Sequence, residues 1–168
     1  MGFFPVPNYS FRDVTDITPK HLKKLGVRFL MLDLDNTLAS YSEHEPAVDV
    51  LHWCNNMKAS GIELFMISNS MNKRRVEYFA GAFQIDFILK AMKPSPSSLK
   101  KAADIKKVDM RFSAMVGDQI FTDVLAAKRA GALSILVRPR CIKNPLLALR
   151  YIIELPFRRA CKTAATNG

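Results

Sequence analysis

Two acidic side chains separated by one apolar residue follow the first strongly apolar run of the chain. Asp33 and Asp35 come directly after the run 29–32, and Thr37 completes the pattern DxDxT. Because side chains of an extended segment alternate, both acids project to one side and Leu34 to the other. Carboxylates this close repel each other and lose hydration, which is tolerable mainly when a cation or a shared proton lies between them. The pattern predicts a divalent-cation site or an acid–base pair, with a turn or helix cap as the structural alternative.

Three more polar clusters directly follow apolar runs. Ser68 and Asn69 come after the second run, Lys93 after the third, and Asp118 after the fourth, with Asp123 five residues later. Taken singly, they have ordinary explanations: an N-cap at the start of the next helix, an exposed lysine, and an acid that complements a helix dipole. Consecutive clusters are 25 to 35 residues apart, about the length of one β-α unit of ~30 residues. This spacing predicts that all four clusters meet at one rim of a sheet.

Five short apolar runs alternate with longer segments of helical spacing, which is typical of β-α repeats. The runs predict strands at 27–32, 63–67, 87–89, 113–116 and 133–137. Capping residues, prolines and following glycines predict helices that begin near Pro19, Pro46, Pro96, Thr122 and Pro145. Continuous apolar strands favour an α/β fold, a single Rossmann-like three-layer α/β/α domain with a mainly parallel five-stranded sheet. Ligands of such sheets bind at the carboxyl ends of the strands.

The composition is that of an ordinary globular protein. The chain has 168 residues, of which 49% are hydrophobic and 24% charged, with 3 Cys. These values exclude a disordered, collagen-like or disulfide-stapled chain and predict one domain over 1–168, with its core at 27–137. No apolar run approaches the ~20 residues needed to span a bilayer, and the N-terminus lacks the pattern of a secretory signal. The widely spaced cysteines favour a reducing, cytoplasmic location.

The basic charge of the chain is concentrated at its C-terminal end. Lys and Arg exceed Asp and Glu by 25 to 15, and the segment 138–168 carries seven of these cations but only one acid. Such a segment favours an anionic partner or is simply a solvated tail. A helix at 144–159 would carry one narrow polar stripe, Lys143, Arg150, Glu154 and Arg158, and an apolar remainder, Leu146, Leu149, Ile152, Ile153 and Leu155. Pro156 is expected to end or kink it. The helix is predicted to pack on the sheet or a second subunit, or to contact a membrane peripherally.

The four clusters together resemble a known family. DxDxT, Ser68, Lys93-Pro94 and the GDxxxxD that contains Asp118 and Asp123 are similar to the four motifs of the haloacid dehalogenase-like phosphatase superfamily, over residues 27–137. The stretches SNSMNKRRVEYF, KAMKPSP and VGDQIFTDVLAAKRAG resemble the subfamily IIIA branch, which includes bacterial proteins of unassigned substrate and mitochondrial phosphatidylglycerophosphate phosphatases. One departure is Ser68-Asn69-Ser70, where Ser-Asn-Asn is expected.

The resemblance implies Mg²⁺ and a covalent intermediate. Mg²⁺ prefers oxygen ligands, and the expected ligands are Asp33, Asp118 and the backbone carbonyl of Asp35, with Asp123 acting through a water. Asp33 would attack phosphorus to form an aspartyl-phosphate, Asp35 would exchange protons with the leaving group and water, and Lys93 would offset charge. Substrate contacts are predicted at Thr37, Ser68, Asn69 and Arg75, the last because arginine matches phosphate oxygens.

The short spacings between the clusters leave no room for a cap domain. An open site suits a phosphate that projects from something large, such as a lipid, a protein or a nucleic-acid end. Together with the C-terminal segment, the resemblance favours hydrolysis of phosphatidylglycerophosphate to phosphatidylglycerol at the inner face of the membrane. The alternatives are another phosphoester (a phosphoprotein, nucleotide or sugar phosphate) and a basic RNA-binding module on the same fold. No nucleic-acid partner is expected, because aromatic residues do not interleave with the basic ones; the sequence assigns no oligomeric state.

Overall fold

The strands form one parallel sheet. The computed structural model describes residues 5–161, so the ends of the chain, including Lys162 of the basic segment, lie outside the described part. The strands are β1 (Tyr9–Ser10), β2 (Phe29–Leu32), β3 (Glu63–Ile67), β4 (Asp86–Ile88), β5 (Ser113–Gly117) and β6 (Leu133–Leu136). Their order is β1-β6-β5-β2-β3-β4, and every neighbouring pair is parallel. The predicted parallel α/β fold is confirmed.

The predicted count of five strands is wrong, because a short sixth strand lies at the edge of the sheet. β1 has two residues and pairs with β6. Asn8 fixes this pairing, since its backbone N–H donates to the Ser134 carbonyl at 3.0 Å and its side chain accepts from the Ser134 N–H at 3.0 Å. A two-residue polar strand has no apolar run or alternation, so the hydrophobic pattern that located the other five could not indicate it.

Six α-helices connect or flank the strands in the described part of the chain. They are α1 (Pro19–Lys24), α2 (Val48–Ala59), α3 (Lys73–Phe83), α4 (Ser97–Lys106), α5 (Leu125–Ala130) and α6 (Pro145–Arg159). The predicted caps Thr18 and Asn144 accept backbone N–H bonds at the starts of α1 and α6.

Two helix starts differ from the sequence prediction. Asn72 caps α3 by accepting from the Arg75 N–H at 3.1 Å, so Ser68-Asn69-Ser70 forms a connection and not a helix cap. The helical segment after β5 begins at Ile120 with one π-helical turn, Ile120–Val124, instead of at Thr122. Both differences leave the polar residues that follow β3 and β5 in loops at the rim of the sheet.

Alternating side chains of the central strands divide the core into two faces. Leu30 and Leu32 point into a core shared with α2 and α3, whose buried residues include Trp53 and Phe79. Phe29 and Met31 point to the opposite face, in a core with the buried residues of α4 and α5. This alternation follows from strand geometry, and it confirms the predicted three-layer α/β/α arrangement.

The connections that follow β2 and β3 are simple. Within the described residues, 33–47 contain an isolated bridge between Asp35 and Ala39 and otherwise no strand or helix, and 68–72 contain neither. No cap domain is inserted at either place, as the spacing predicted. Within residues 5–161, loops and α6 are the elements found near the carboxyl ends of the central strands.

α6 packs with its polar stripe toward the protein. Glu154 is 0% exposed, whereas Leu146, Leu149, Ile152 and Ile153 are 54% to 74% exposed. Pro156 does not end the helix, which continues to Arg159. Over residues 5–161 the structure contains no helix long and apolar enough to cross a membrane.

Candidate active site

Three buried carboxylates meet where β2 and β5 end. The two strands are neighbours, and the Asp33 N–H donates to the Val116 carbonyl at 2.9 Å, so Asp33 and Asp118 emerge side by side. Asp123 joins them from the π-helical turn, and one oxygen from each of the three carboxylates lies within 4.8 Å of the others. Among the described residues, Asp118 Oδ1 is buried without a hydrogen-bond partner. Clustered carboxylate oxygens of this kind fit a hard divalent cation such as Mg²⁺.

Lys93 is the cation built into this cluster. Its Nζ donates to Asp33 Oδ1 at 2.7 Å, to Asp123 Oδ1 at 2.7 Å and to the Ile67 carbonyl at 2.8 Å, and its side chain is 1% exposed. Asn69 holds the backbone of Lys93 from both sides, donating from Nδ2 to its carbonyl at 3.0 Å and accepting from its N–H at 2.8 Å. An ammonium has three hydrogens, so all of those on Lys93 are used within the protein.

Burial and mutual repulsion change the protonation of the acids. Burial raises the pKa of Asp33 to about 7, with Lys93 opposing the rise and Asp123 adding to it. Burial, followed by the charges of Asp123 and Asp33, raises the pKa of Asp118 well above its usual value. Burial disfavours the Lys93 ammonium, but Asp123 and Asp33 outweigh this and raise its pKa. One lysine therefore cannot neutralise three acids, which is the electrostatic reason for a second cation here.

Asp35 is not part of the three-carboxylate cluster and pairs with Arg75. Arg75 Nε lies 3.1 Å from Asp35 Oδ1, its NH2 group donates to the Ser40 carbonyl at 2.8 Å, and its NH1 group donates to the Glu43 carbonyl. The guanidinium also lies over the Phe79 ring, 4.6 Å from its centroid. Arg75, which the sequence analysis assigned to substrate binding, thus fixes Asp35 and the loop at 40–43.

Thr37 and Ser68 line the same rim and are almost fully buried. Thr37 Oγ1 donates to Asp33 Oδ2 at 3.4 Å, and Ser68 Oγ accepts from the Ser70 N–H at 3.1 Å. The structure therefore brings together acids, lysine and hydroxyls from four separate connections. His44, to which no role was given, is exposed.

Sequence reasoning missed two contributions to this rim. Arg158 of α6 donates to the Asp118 carbonyl and pairs with the buried Glu154. The spacing of these two residues in an otherwise apolar helix was the available signal. Tyr41, in the loop after β2, lines a cleft with Lys143 and Leu147. Partial burial, and then the charges of Asp35, Asp118 and Asp33, raise its pKa to about 12. A single loop tyrosine has no sequence pattern that marks it.

Gly117 is required by the close approach of Asp123. A Cβ at position 117 would lie 2.1 Å from Asp123 Oδ2. We expect Gly117→Ala to displace Asp123 from Lys93, lower the free energy of unfolding by about 2 kcal/mol through overpacking, and weaken Mg²⁺ binding measured by calorimetry at least about tenfold. The matched control is Gly81→Ala in α3, where no heavy atom lies within 4 Å; unchanged Mg²⁺ binding in both variants would contradict this account.

Repulsion among the acids predicts how stability depends on pH without metal. Because the folded pKa of Asp33 is raised from 3.8 to about 7, the folded state holds more protons than the unfolded state in that window. The free energy of unfolding therefore falls as pH rises through it. In EDTA we expect Tm to fall by about 3 °C or more between pH 5 and pH 8, and Mg²⁺ to restore much of the loss. Asp33→Asn should flatten the dependence of Tm on pH, whereas Asp104→Asn, at an exposed position of α4, should leave it as in the wild type. The same dependence in the wild type and both variants would refute the raised pKa of Asp33.

Comparisons with known proteins agree with this geometry. A family model described as HAD-hydrolase-like matches residues 91–139, which contain Lys93, Asp118 and Asp123. The chain is 35% identical over 136 residues to "Probable phosphatase YqeG" of Bacillus subtilis (strain 168), covering 81% of this chain and 78% of that protein.

Solved structures share the fold at low sequence identity. The cobalt-bound form of the deoxy-D-mannose-octulosonate 8-phosphate phosphatase (YrbI) from Haemophilus influenzae is 15% identical with a TM-score of 0.56, over 68% of this chain and 70% of that one. An uncharacterized protein from Listeria monocytogenes serotype 4b is 19% identical with a TM-score of 0.55, over 71% and 80%. The fold, the acid cluster, the matched family model and the likeness to YqeG lead to one conclusion: the chain belongs to the haloacid dehalogenase-like (HAD) hydrolase family.

Proposed function

We propose that this protein is a Mg²⁺-dependent phosphatase that hydrolyses a phosphate monoester through an aspartyl-phosphate. The observation that supports it best is the buried cluster of Asp33, Asp118 and Asp123 around Lys93. A phosphate monoester resists attack because its oxygens are negative, so its hydrolysis requires concentrated positive charge and a fixed nucleophile. Asp33, Asp118 and Asp123 would hold Mg²⁺, which supplies Lewis-acid neutralisation of the phosphoryl oxygens when bound.

Asp33 is the proposed nucleophile. Its Oδ1 is fixed by Lys93 and its Oδ2 by Thr37, which limits the carboxylate to one orientation. One carboxylate oxygen forms a bond to phosphorus while the bond from phosphorus to the alcohol oxygen breaks. Water then attacks phosphorus and releases Asp33, so one difficult hydrolysis becomes two easier steps.

Asp35 is the proposed proton donor and acceptor. It would give a proton to the departing alkoxide and take one from the attacking water in the second step. Arg75 positions it through the 3.1 Å contact between Nε and Oδ1. We therefore propose that Arg75 orients Asp35, and we keep the phosphate contact that the sequence predicted for it. The backbone carbonyl of Asp35 is the proposed additional metal ligand.

Ser68 and the backbone amide of Asn69 are the proposed donors to the phosphoryl oxygens, with Thr37 beside them. Ser68 is 1% exposed and directly follows β3 at the rim. A preorganised donor of this type contributes about 3 kcal/mol to transition-state stabilisation. The side chain of Asn69 is bonded to Lys93, so we assign phosphate binding to its backbone.

Phosphatidylglycerophosphate is the proposed substrate, with phosphatidylglycerol as the product. Over the described residues the rim has no cap domain, and a cleft of about 250 Å³ beside Tyr41 is lined by Lys143, which precedes α6, and by Leu147 in its first turn. This cleft could take the glycerol part of the headgroup, since it offers apolar surface and one cation. The proposal puts the protein in the cytoplasm, at the inner face of the membrane, where the reduced state of its three cysteines fits a reducing environment.

The exposed side of α6 supports contact with a lipid surface. Four aliphatic side chains, 54% to 74% exposed, share this side. Lys143, just before the helix, and Arg159, its last residue, are both exposed. Aliphatic residues flanked by cations match an anionic bilayer interface.

Substitution of the nucleophile tests the mechanism. Asp33→Asn should reduce phosphate release from p-nitrophenyl phosphate and from phosphatidylglycerophosphate by about 10³-fold or more, because the amide is a far weaker nucleophile. Asp104→Asn, on the exposed surface of α4, should keep full activity. Assays with a phosphopeptide, a nucleotide and a sugar phosphate identify the alternative substrates, and Mg²⁺-dependent release retained by Asp33→Asn would eliminate the covalent route. Salt-dependent RNA binding without hydrolysis would instead favour the RNA-binding alternative.

Vesicle flotation tests the lipid contact. We expect the wild-type protein to float with phosphatidylglycerol vesicles and not with phosphatidylcholine vesicles. The double variant Ile152→Ser/Ile153→Ser should float at least about fivefold less, in line with about 0.8 kcal/mol per buried CH₂. The control is Ile105→Ser on α4, whose 51% exposure is close to the 59% and 54% of Ile152 and Ile153. Failure of the wild type to float, or equal loss in the control, would remove this support.

A further inference from the structure

One ion pair on α6 binds the backbone on both sides of Gln119, at the Asp118 carbonyl and the Ile120 N–H. Glu154 Oε1 accepts from the Ile120 N–H at 2.9 Å, and Arg158 donates to the Asp118 carbonyl. The same two side chains bind each other, with Arg158 NH2 2.7 Å from Glu154 Oε2. The segment that aims Asp118 at the metal cluster is thus fixed from a helix 34 to 40 positions away in sequence.

The burial of this pair distinguishes it from an ordinary surface salt bridge. Glu154 has 0% side-chain exposure and Arg158 has 10%. The exposed pair between Lys73 and Glu77 on α3, at the same i,i+4 spacing, has 69% and 44%. An exposed pair of this kind contributes little to stability, whereas a buried carboxylate must have its charge and lone pairs satisfied. Here the satisfying groups are Arg158 and a backbone N–H of the site loop.

The N–H of Ile120 would otherwise be left unbonded at a helix start. Ile120 begins the π-helical turn, and Gln119 before it makes no side-chain cap. First-turn N–H groups have no partner within their helix and favour a negative group. Glu154 is that group, supplied from another helix. The turn it stabilises also carries Asp123, so the pair supports two of the three clustered acids.

The remaining contacts of α6 keep the pair in place. The Arg158 guanidinium lies 4.4 Å from the centroid of the Tyr151 ring, and Phe157 packs edge-on against Phe121 at 5.6 Å between centroids. These contacts fix Arg158 laterally and attach α6 to the π-helical turn. Displacement of α6 would therefore move the Asp118–Gln119 segment.

We propose that Glu154 and Arg158 are positioning residues that hold Asp118 and Asp123 in their metal-binding geometry. The inference rests on the proposed function only in assigning Mg²⁺ to the three acids. Outer partners that orient metal ligands change metal affinity by about 10- to 100-fold when they are substituted. Arg158 serves a carboxylate and a carbonyl at once from one terminal nitrogen, NH2, whose direction is fixed by the planar guanidinium that stacks on Tyr151. The flexible stem and tetrahedral ammonium of a lysine provide no such fixed plane.

The test is the Mg²⁺ affinity of the full chain, measured by calorimetry. Glu154→Gln keeps an oxygen for the Ile120 N–H but loses the charge that holds Arg158. Arg158→Lys keeps the charge but loses the planar guanidinium that fixes the donor nitrogen against Tyr151. Each is expected to raise the dissociation constant for Mg²⁺ about tenfold. In p-nitrophenyl phosphate assays each should raise the Mg²⁺ concentration needed for half-maximal rate, while kcat at saturating Mg²⁺ stays within about threefold of wild type.

Two controls separate positioning from general stability. Glu77→Gln breaks the exposed i,i+4 pair of α3, and Arg159→Lys changes the exposed neighbour of Arg158; both should bind Mg²⁺ as the wild type does. A lower Tm with unchanged Mg²⁺ affinity in Glu154→Gln and Arg158→Lys would show that the pair only attaches the helix, and would overturn the inference. A wild type that binds no Mg²⁺ would overturn it too. Mg²⁺ binding that depends on Glu154, without hydrolysis of any ester, would remove the proposed function and leave this inference in place.

Discussion

The site depends on a buried ammonium that holds two carboxylates close together. Without Lys93, Asp33 and Asp123 would be desolvated acids with no compensating charge, a cost of several kcal/mol per ion. With it, two acids and a carbonyl are bound at 2.7 to 2.8 Å, and a third acid is left with an unbonded oxygen. Lys93 therefore offsets part of the repulsion, and one ammonium does not balance three clustered carboxylates. Asn69, by holding the backbone of Lys93 on both sides, maintains this arrangement.

The order of the strands in the sheet is enough to bring the candidate site residues together. β2 and β5 are neighbours in register, with Leu32 opposite Val116, so the first residues beyond them are adjacent by geometry alone. β3 lies on the other side of β2 and brings Ser68 to the same rim. The parallel order thus makes spatial neighbours of residues that are far apart in sequence, from 35 positions between Asp33 and Ser68 to 85 positions between Asp33 and Asp118.

The part of the fold that was predictable is the part that repeats. Buried strands could be predicted from their apolar runs. The starts of α1 and α6 could be predicted from Thr18 and Asn144, whose side chains accept backbone N–H bonds. The acids could be identified because each follows such a strand. β1 could not be identified, because a strand of only two residues at the edge of the sheet is too short to show a periodic pattern in the sequence. The π-helical turn could not either, since it forms where Glu154, a distant residue, binds the Ile120 N–H. The orientation of α6 could not be predicted for a related reason. Hydrophobicity alone favours burial of the apolar side of a helix, but here Glu154 and Arg158 bind the loop after β5, so the polar side is buried.

The attachment of α6 to the Asp118 carbonyl and the Ile120 N–H has a consequence for where the smallest working unit of this protein ends. A boundary drawn from sequence motifs would fall near residue 139, the end of the matched family model, and would retain every acid. A chain that ended there would leave the Ile120 N–H and the Asp118 carbonyl without the hydrogen bonds that α6 provides. If Glu154 and Arg158 position the acids as proposed, a fragment that keeps this geometry must extend at least to Arg158, well beyond the last motif.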